Sequence, residues 1–190
     1  MLKPDAVQRG LTGEIITRFE RVGLKIIGVK MAWPTKEQME KFYPSTKEWL
    51  TSVGEKARKS HEEKGVQDKR DPLETGKWVK SVLVEYASCG PVVVLALEGN
   101  SAIEIVRKLV GSTDPLKAQP GTIRGDFTPE SIVFADANQR ATRNLIHASG
   151  NKEEAKHEIK FWFKENELFD YKLGGEEILY SNNWTKRKKT

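Results

Sequence analysis

The residues best suited to chemistry stand late in the chain. The stretch "RNLIHASGN", Arg143 to Asn151, sets His147 ahead of the small residues Ala148, Ser149 and Gly150. Glu158 then falls three residues after Ala155 and four before Trp162, so on a helix it puts a carboxylate on or beside an apolar stripe. A charge in that place needs a partner. A hairpin-like connection would bring His147 to it, with Ser149 as a bridging hydroxyl. A carboxylate or hydroxyl bound to one ring nitrogen fixes the tautomer and leaves the other nitrogen as a nucleophile or base. The same spacing also suits a satisfied structural pair in a core, and residue types alone leave both readings open.

A second group has the chemistry of phosphate binding. From Gly111 to Phe127 the chain loses its periodicity in "GSTDPLKAQPGTIRGDF", which carries Thr113, Thr122 and Arg124, and Arg107 stands near the end of the preceding helical stretch. Arginine forks match phosphate oxygens, and hydroxyls and loop amides add neutral donors. Each arginine also has a plainer reading: Arg107 compensates a helix dipole, and Arg124 pairs with a neighbour such as Asp126. No G-x-G-x-x-G follows a strand and no G-x-x-x-x-G-K-[ST] occurs, so any phosphate cradle here is not a P-loop.

The elements that must position these groups follow from periodicity. Ile15, Phe19 and Val22 predict an amphipathic helix over 12–22 that Gly23 stops, and "LKIIGVKMAW" predicts a strand over 24–33. Thr35 with Gln38, Ser45 with Glu48, Ser101 with Glu104 and Asn151 with Glu154 have capping-box spacing. They predict helices from about 36 to 43, along the thin stripe Trp49, Val53 and Ala57, over 102–110, and along the face Ala155, Ile159, Trp162 and Phe163. Residues 59–77, with little to bury, predict a solvated, mobile stretch before a helix over 78–87. "PVVVLALE", 91–98, is a strand buried on both faces, Thr128 with Pro129 marks a helix or turn start, and 145–147 suits a short edge strand. Helices alternate with few, short strands, which favours a small α/β sandwich with a mostly antiparallel sheet.

Composition excludes several classes. In 190 residues no run approaches the roughly 20 apolar positions that span a bilayer, and the start shows no basic stretch followed by an apolar signal segment. A cytoplasmic protein is expected. One cysteine, Cys89, is read as a small buried residue, and three scattered histidines make no zinc cluster. A net charge of +5 and the basic run Lys186–Lys189 favour anionic partners. With a pI near 9.2 they also leave room for a nucleic-acid-binding ferredoxin-like module, although the aromatic signature of an RNA-binding sheet is missing.

"LKPDAVQRGLTGEII", "GPVVVLALEG", "PGTIRGDF" and "RNLIHASG" occur in this order, and together they resemble the nucleoside diphosphate kinase family from end to end. The resemblance implies an α+β fold, a ferredoxin-like βαββαβ sandwich with a four-stranded antiparallel sheet covered by helices. It implies transfer of the γ-phosphoryl group from a nucleoside triphosphate such as ATP to a nucleoside diphosphate. That transfer is a ping-pong reaction through a phosphohistidine, with Mg2+ on the nucleotide, in a homo-oligomer, hexamer or tetramer. Carried onto this chain, His147 is the phosphorylated residue, and Glu158 and Ser149 orient it. Lys3, Tyr43, Arg107, Thr113, Arg124 and Asn144 bind the nucleotide, and no protein side chain ligates the metal. His61 and His157 are left as surface residues. Departures from the family pattern are a first strand with only Met1 and Leu2 ahead of Lys3, a charged insertion over 45–77, a second insertion over 128–140, and a C-terminal extension over 176–190 with its basic tail. The first insertion leaves Trp78 or Val79 as the place to seek a base-stacking residue.

Overall fold

The computed structural model describes residues 1–63, 65 and 69–183, so the expected basic tail Lys186–Lys189 lies outside the described residues. The chain opens with α1 (Pro4–Gln8) and α2 (Thr12–Arg21), whose Ile15 and Phe19 are buried while Val22 is exposed. Gly23, at φ 84°, takes the left-handed turn that an ordinary side chain resists, and it delivers the chain into β1 (Lys25–Ala32). After α3 (Lys36–Phe42), α4 (Lys47–Glu62) and α5 (Pro72–Ser88), the second strand β2 (Val92–Glu98) pairs antiparallel with β1, Val29 facing Leu95. Then come α6 (Ala102–Val110), the short helices α7 (Ile123–Phe127) and α8 (Ile132–Ala137), α9 (Lys152–Trp162) and α10 (Glu176–Tyr180).

Two full strands form among the described residues, and the other two expected ones shrink to single bridges. Leu2 bridges Val93 on one side and Ile146 on the other, which sets the order β1, β2, Leu2, Ile146, antiparallel throughout. Lys3 already leads into α1, so Leu2 supplies one rung to each neighbour rather than a ladder. Odd-numbered β2 residues such as Val93 pack with Leu2, Ile15, Phe19 and Ile123 on one face of the sheet. Val92, Val94 and Ala96 meet Phe163 on the other, so β2 is buried on both faces as its sequence requires. Full burial of side chains such as Phe19 and Leu2 stabilises the fold by about 1.5–3 kcal/mol each.

The largest departure lies in 59–77, where a solvated stretch was expected. Helix α4 continues to Glu62 and α5 starts at Pro72, capped by Asp71, so most of the segment is helical hairpin. Its buried face runs through Leu50, Gly54, Ala57 and His61, not along Trp49 and Val53. Charged residues concealed this face because its packing depends on small residues: a Cβ on Gly54 would lie 1.8 Å from the Pro72 carbonyl oxygen, and one on Gly76 1.9 Å from that of Leu50. The helices touch backbone to backbone there. His61 is correspondingly buried, and its Nε2 lies 2.6 Å from Asp136 of α8, so it is no surface histidine. Three smaller expectations also change. Thr46 caps α4 in place of Ser45, Ser101 sits at φ 49° without capping α6, and Cys89 is exposed.

Candidate active site

The strand-like segment that carries His147 is held in an unusual bend. Leu145 has φ 69°, and its neighbour Ile146 donates its N–H to the Asn144 carbonyl at 2.8 Å, closing a three-residue γ-turn of the rare positive-φ kind. Such a bend persists only where its surroundings dictate it. The Leu145 N–H donates to Asp5 Oδ2 at 3.2 Å and its carbonyl accepts from the Lys3 N–H at 2.8 Å, while its side chain is fully buried. One result of the bend is that the carbonyls of Asn144 and Ile146 both reach Arg124, at 3.0 Å from Nε and 2.6 Å from Nη2.

Arg124 also donates through Nη1 to the carbonyls of Gly111 and Ser112, at 3.0 and 3.1 Å. Four of the five guanidinium N–H groups are thereby used, all on neutral oxygens, and one Nη2–H remains. The plainer reading of Arg124 does not hold, because Asp126 pairs instead with Arg18 at 2.7 Å. Burial, together with the nearby Arg107 guanidinium, lowers the Arg124 pKa to about 10, still far above neutrality. Lys3 adds a second buried cation, whose Nζ donates to Asn144 Oδ1 at 2.7 Å. Asn144 in turn donates through Nδ2 to the Thr113 carbonyl at 2.9 Å, so one amide ties the start of the chain to the loop after α6. Burial and the Arg124 charge push the Lys3 pKa down from 10.5 to about 7.

His147 and Glu158 meet as the helical spacing suggested. Asn151 caps α9 by accepting from the Glu154 N–H at 2.9 Å, and that start phases the helix so that Glu158 turns back toward the loop it follows. His147 Nε2 lies 2.8 Å from Glu158 Oε1, and Ser149 Oγ donates to Oε2 at 2.7 Å. Burial opposes the charge on Glu158, but the bonds from His147 and Ser149 outweigh it and hold the carboxyl below its ordinary value. Burial lowers His147 below 6.5 against the pull of Glu158. The pair is therefore neutral imidazole and ionised carboxylate near neutral pH, with the proton on Nε2 and Nδ1 as the basic nitrogen. No hydrogen bond among the described residues occupies Nδ1.

All these groups border one cleft of about 330 Å³. Lys3, Tyr43, Arg107, Thr113, Arg124, Asn144, His147 and Glu158 line it, with Ser149 behind Glu158. Tyr43 follows the Thr35-capped α3, and burial raises its hydroxyl well above the usual phenol range. Thr122 of the phosphate-type loop is otherwise engaged, since its hydroxyl caps α7 by accepting from the Gly125 N–H. Trp78 lies under Arg70, with 4.8 Å from guanidinium carbon to ring centroid, and does not border the cleft. The apolar wall is made by Trp49 and Leu83, which sequence reasoning missed. Trp49 was visible only as part of a helical stripe, and Leu83 carried no local signal. His157 is exposed, as expected, but stands with Glu154 at the rim of the same cleft.

The sequence pattern of the family described as Nucleoside diphosphate kinase matches residues 1–51 and 74–168, which leaves out most of α4, the turn after it and the start of α5. The nucleoside diphosphate kinase of Pyrobaculum aerophilum is 50% identical over 175 residues, 90% of this chain and 96% of the relative, and that of Pyrococcus abyssi is 46% identical over 171 residues, 90% of this chain and 86% of the relative. The crystal structure of the P. aerophilum NDP kinase superposes with a TM-score of 0.85, covering 89% of this chain and 96% of that one. The Borrelia burgdorferi nucleoside-diphosphate kinase, described as a transition-state mimic with bound vanadate and ADP, is 36% identical with a TM-score of 0.78, covering 95% of this chain and 94% of that one. These likenesses do not favour a nucleic-acid-binding module. Likeness in sequence and fold runs through most of the chain, and the chain belongs to the nucleoside diphosphate kinase family, phosphotransferases that bind nucleotides and use a divalent cation.

Proposed function

We propose that His147 is the residue phosphorylated in this kinase, through Nδ1. Glu158 and Ser149 orient it, and Lys3, Tyr43, Arg107, Thr113, Arg124 and Asn144 hold the nucleotide. The observation that carries this reading is the engagement of Nε2 by an ionised carboxylate inside a cleft that also gathers Lys3, Arg107, Arg124 and the neutral donors Thr113 and Asn144. In the first half-reaction Nδ1 attacks the γ-phosphorus of ATP in line, and the bond to the bridging oxygen breaks, its electron pair leaving with ADP. In the second, a terminal oxygen of the incoming diphosphate attacks that phosphorus, and the P–N bond returns its pair to the imidazole. Such a transfer needs alignment and charge stabilisation more than covalent help. Arg124 and Lys3, locked by hydrogen bonds before substrate arrives, supply both.

Mg2+ enters as part of the nucleotide substrate. Among the described residues no three His, Cys, Asp or Glu side chains gather to hold an ion, and the donor set suits phosphates that carry their own hydrated metal. The working form is a homo-oligomer, hexamer or tetramer, which the exposure of Val29 and Met31 on β1 and of Trp33 just after it (54, 63 and 69%) supports. Among the described residues no helix is long and apolar enough to cross a membrane, and we place the enzyme in the cytoplasm. The chain is read as one catalytic domain with insertions over 45–77 and 128–140 and an extension from 176.

The test is incubation with γ-labelled ATP and Mg2+. It is expected to give an acid-labile, base-stable phosphoprotein that discharges onto added diphosphates. His147→Ala should take no label and His157→Ala should take it normally. Label retained on His147→Ala would overturn the assignment.

A further inference from the structure

The cleft has two walls from distant parts of the chain. One is the α4–α5 hairpin, with Trp49 and Leu83, and the other is the loop after α6, with Gly111, Ser112 and Thr113. From inside, Arg124 and Asn144 hold the loop by its carbonyls. Its outer side is held differently. Asp114 accepts through Oδ1 from the N–H groups of Leu116 and Ile132, at 3.3 Å each, which joins the loop to the first turn of α8. Asp136, further along α8, pairs with His61, and Lys117 pairs with Glu63.

His61 and Glu63 stand at the far end of the helix whose near end carries Trp49. An α-helix of this length is a stiff rod of about 24 Å, so fixing one end fixes the other. The His61 and Asp136 side chains are 6 and 13% exposed, whereas Lys117 and Glu63 are 42 and 44% exposed, so the first pair is the anchor and the second a surface brace.

We infer that α8 is a strap joining the two cleft walls, in which His61 of the hairpin and Asp136 of α8 are positioning residues that set the distance between the Trp49 side and the Thr113 loop. Neither residue borders the cleft. Their effect reaches the substrate through α4 on one side and through Asp114 on the other. Nucleotide affinity then depends on a contact remote from the phosphates, while alignment at His147, fixed by Glu158 and Arg124, does not.

The inference rests on the cleft being the nucleotide site. Labelling of wild type and of His147→Ala tests that separately, so a failure here appears only in the strap variants. Steady-state kinetics of the full chain should show Asp136→Leu raising KM for the nucleoside diphosphate by about 3- to 10-fold with kcat within about twofold, the pattern of lost uniform binding. Asp136→Asn, which keeps an acceptor for His61, should restore a KM near wild type. An unchanged KM in Asp136→Leu, or a fall in kcat alone, would overturn the inference. Should Asp136→Leu fail to fold, the exposed brace decides. Lys117→Glu should raise KM and the reversal Lys117→Glu with Glu63→Lys should bring it back, whereas a Lys117→Glu enzyme with wild-type KM would count against the strap.

Discussion

The two walls of the cleft are built by opposite means. The phosphate wall is a lattice of directional bonds: Arg124 on four carbonyls, Lys3 on Asn144, Asn144 on Thr113 and Glu158 between His147 and Ser149. The opposite wall is packing, with Trp49 and Leu83 carried on helices that touch where Gly54 and Gly76 remove side chains. Under the function proposed above, the difference follows from what each wall must do. Phosphoryl transfer tolerates little angular error, and hydrogen bonds fix angles, whereas an apolar plate for a base needs only shape and contact.

Breaking the lattice should cost the most. Arg124→Met removes a cation from the cleft lining and leaves the carbonyls of Gly111, Ser112 and Ile146 without a donor, while that of Asn144 keeps the Ile146 N–H, so we expect turnover to fall by about 10²–10³ and the melting temperature to drop as well. Stopped-flow phosphorylation and a thermal scan check both, and near-normal phosphorylation would remove Arg124 from the transition state. Glu158→Gln keeps the shape but lets its amide compete for the wrong edge of His147. A loss of about 10- to 100-fold in the rate of His147 phosphorylation, with unchanged stability, is expected.

The same contrast explains what could be read from sequence. His147, Glu158 and Ser149 were legible because a carboxylate on an apolar helical stripe needs a partner and the preceding loop offered one. Spacing could not decide between a structural and a chemical pair, and the family resemblance weighed on the chemical side. Arg124 was legible as an arginine aimed by glycines, although its carbonyl partners come from two other segments that no local pattern connects. Of the hairpin wall, the two helices carrying Trp49 and Leu83 were legible, but not their closure against each other. Lys59 to Lys77 reads as solvated because its packing depends on Gly54, Ala57 and Gly76, and absent side chains leave no hydrophobic signal. His61 looked like a surface residue because its partner, Asp136, lies 75 positions further along the chain, where no local pattern connects the two.

Disturbing the packed wall should have smaller and separable effects. Gly76→Ala places a methyl group against the Leu50 carbonyl, so the helices must part, at a cost of roughly 1–3 kcal/mol or more in stability. Denaturant unfolding measures it, and an unchanged midpoint would mean that the hairpin is not closed as described. Trp49→Ala removes a plate rather than a support. KM for nucleoside diphosphates should rise several-fold, consistent with the 1–3 kcal/mol typical of base–aromatic stacking, while phosphorylation of His147 at saturating ATP stays within about twofold. Loss of both together would make Trp49 structural.

The smallest effect is a proton. The Lys3 pKa in the folded chain is lowered from 10.5 to about 7, because burial and the Arg124 charge disfavour the ammonium. As pH falls from 10.5 toward 7 the unfolded chain binds this proton first, so the burial of Lys3 costs stability progressively over that window and fully below it. Bound phosphates reverse the preference by supplying the missing negative charge. At pH 8, where free Lys3 is largely neutral, nucleotide binding should take up as much as about one proton, and near pH 6 the Lys3 share of uptake should vanish. Calorimetric titration in buffers of different ionisation enthalpy reads the number directly. Lys3→Arg, charged at every such pH, should abolish the uptake while keeping the hydrogen bond to Asn144. Binding heats at pH 8 that do not depend on the buffer would show that Lys3 is already charged, and that the phosphate wall carries its full positive field before substrate enters.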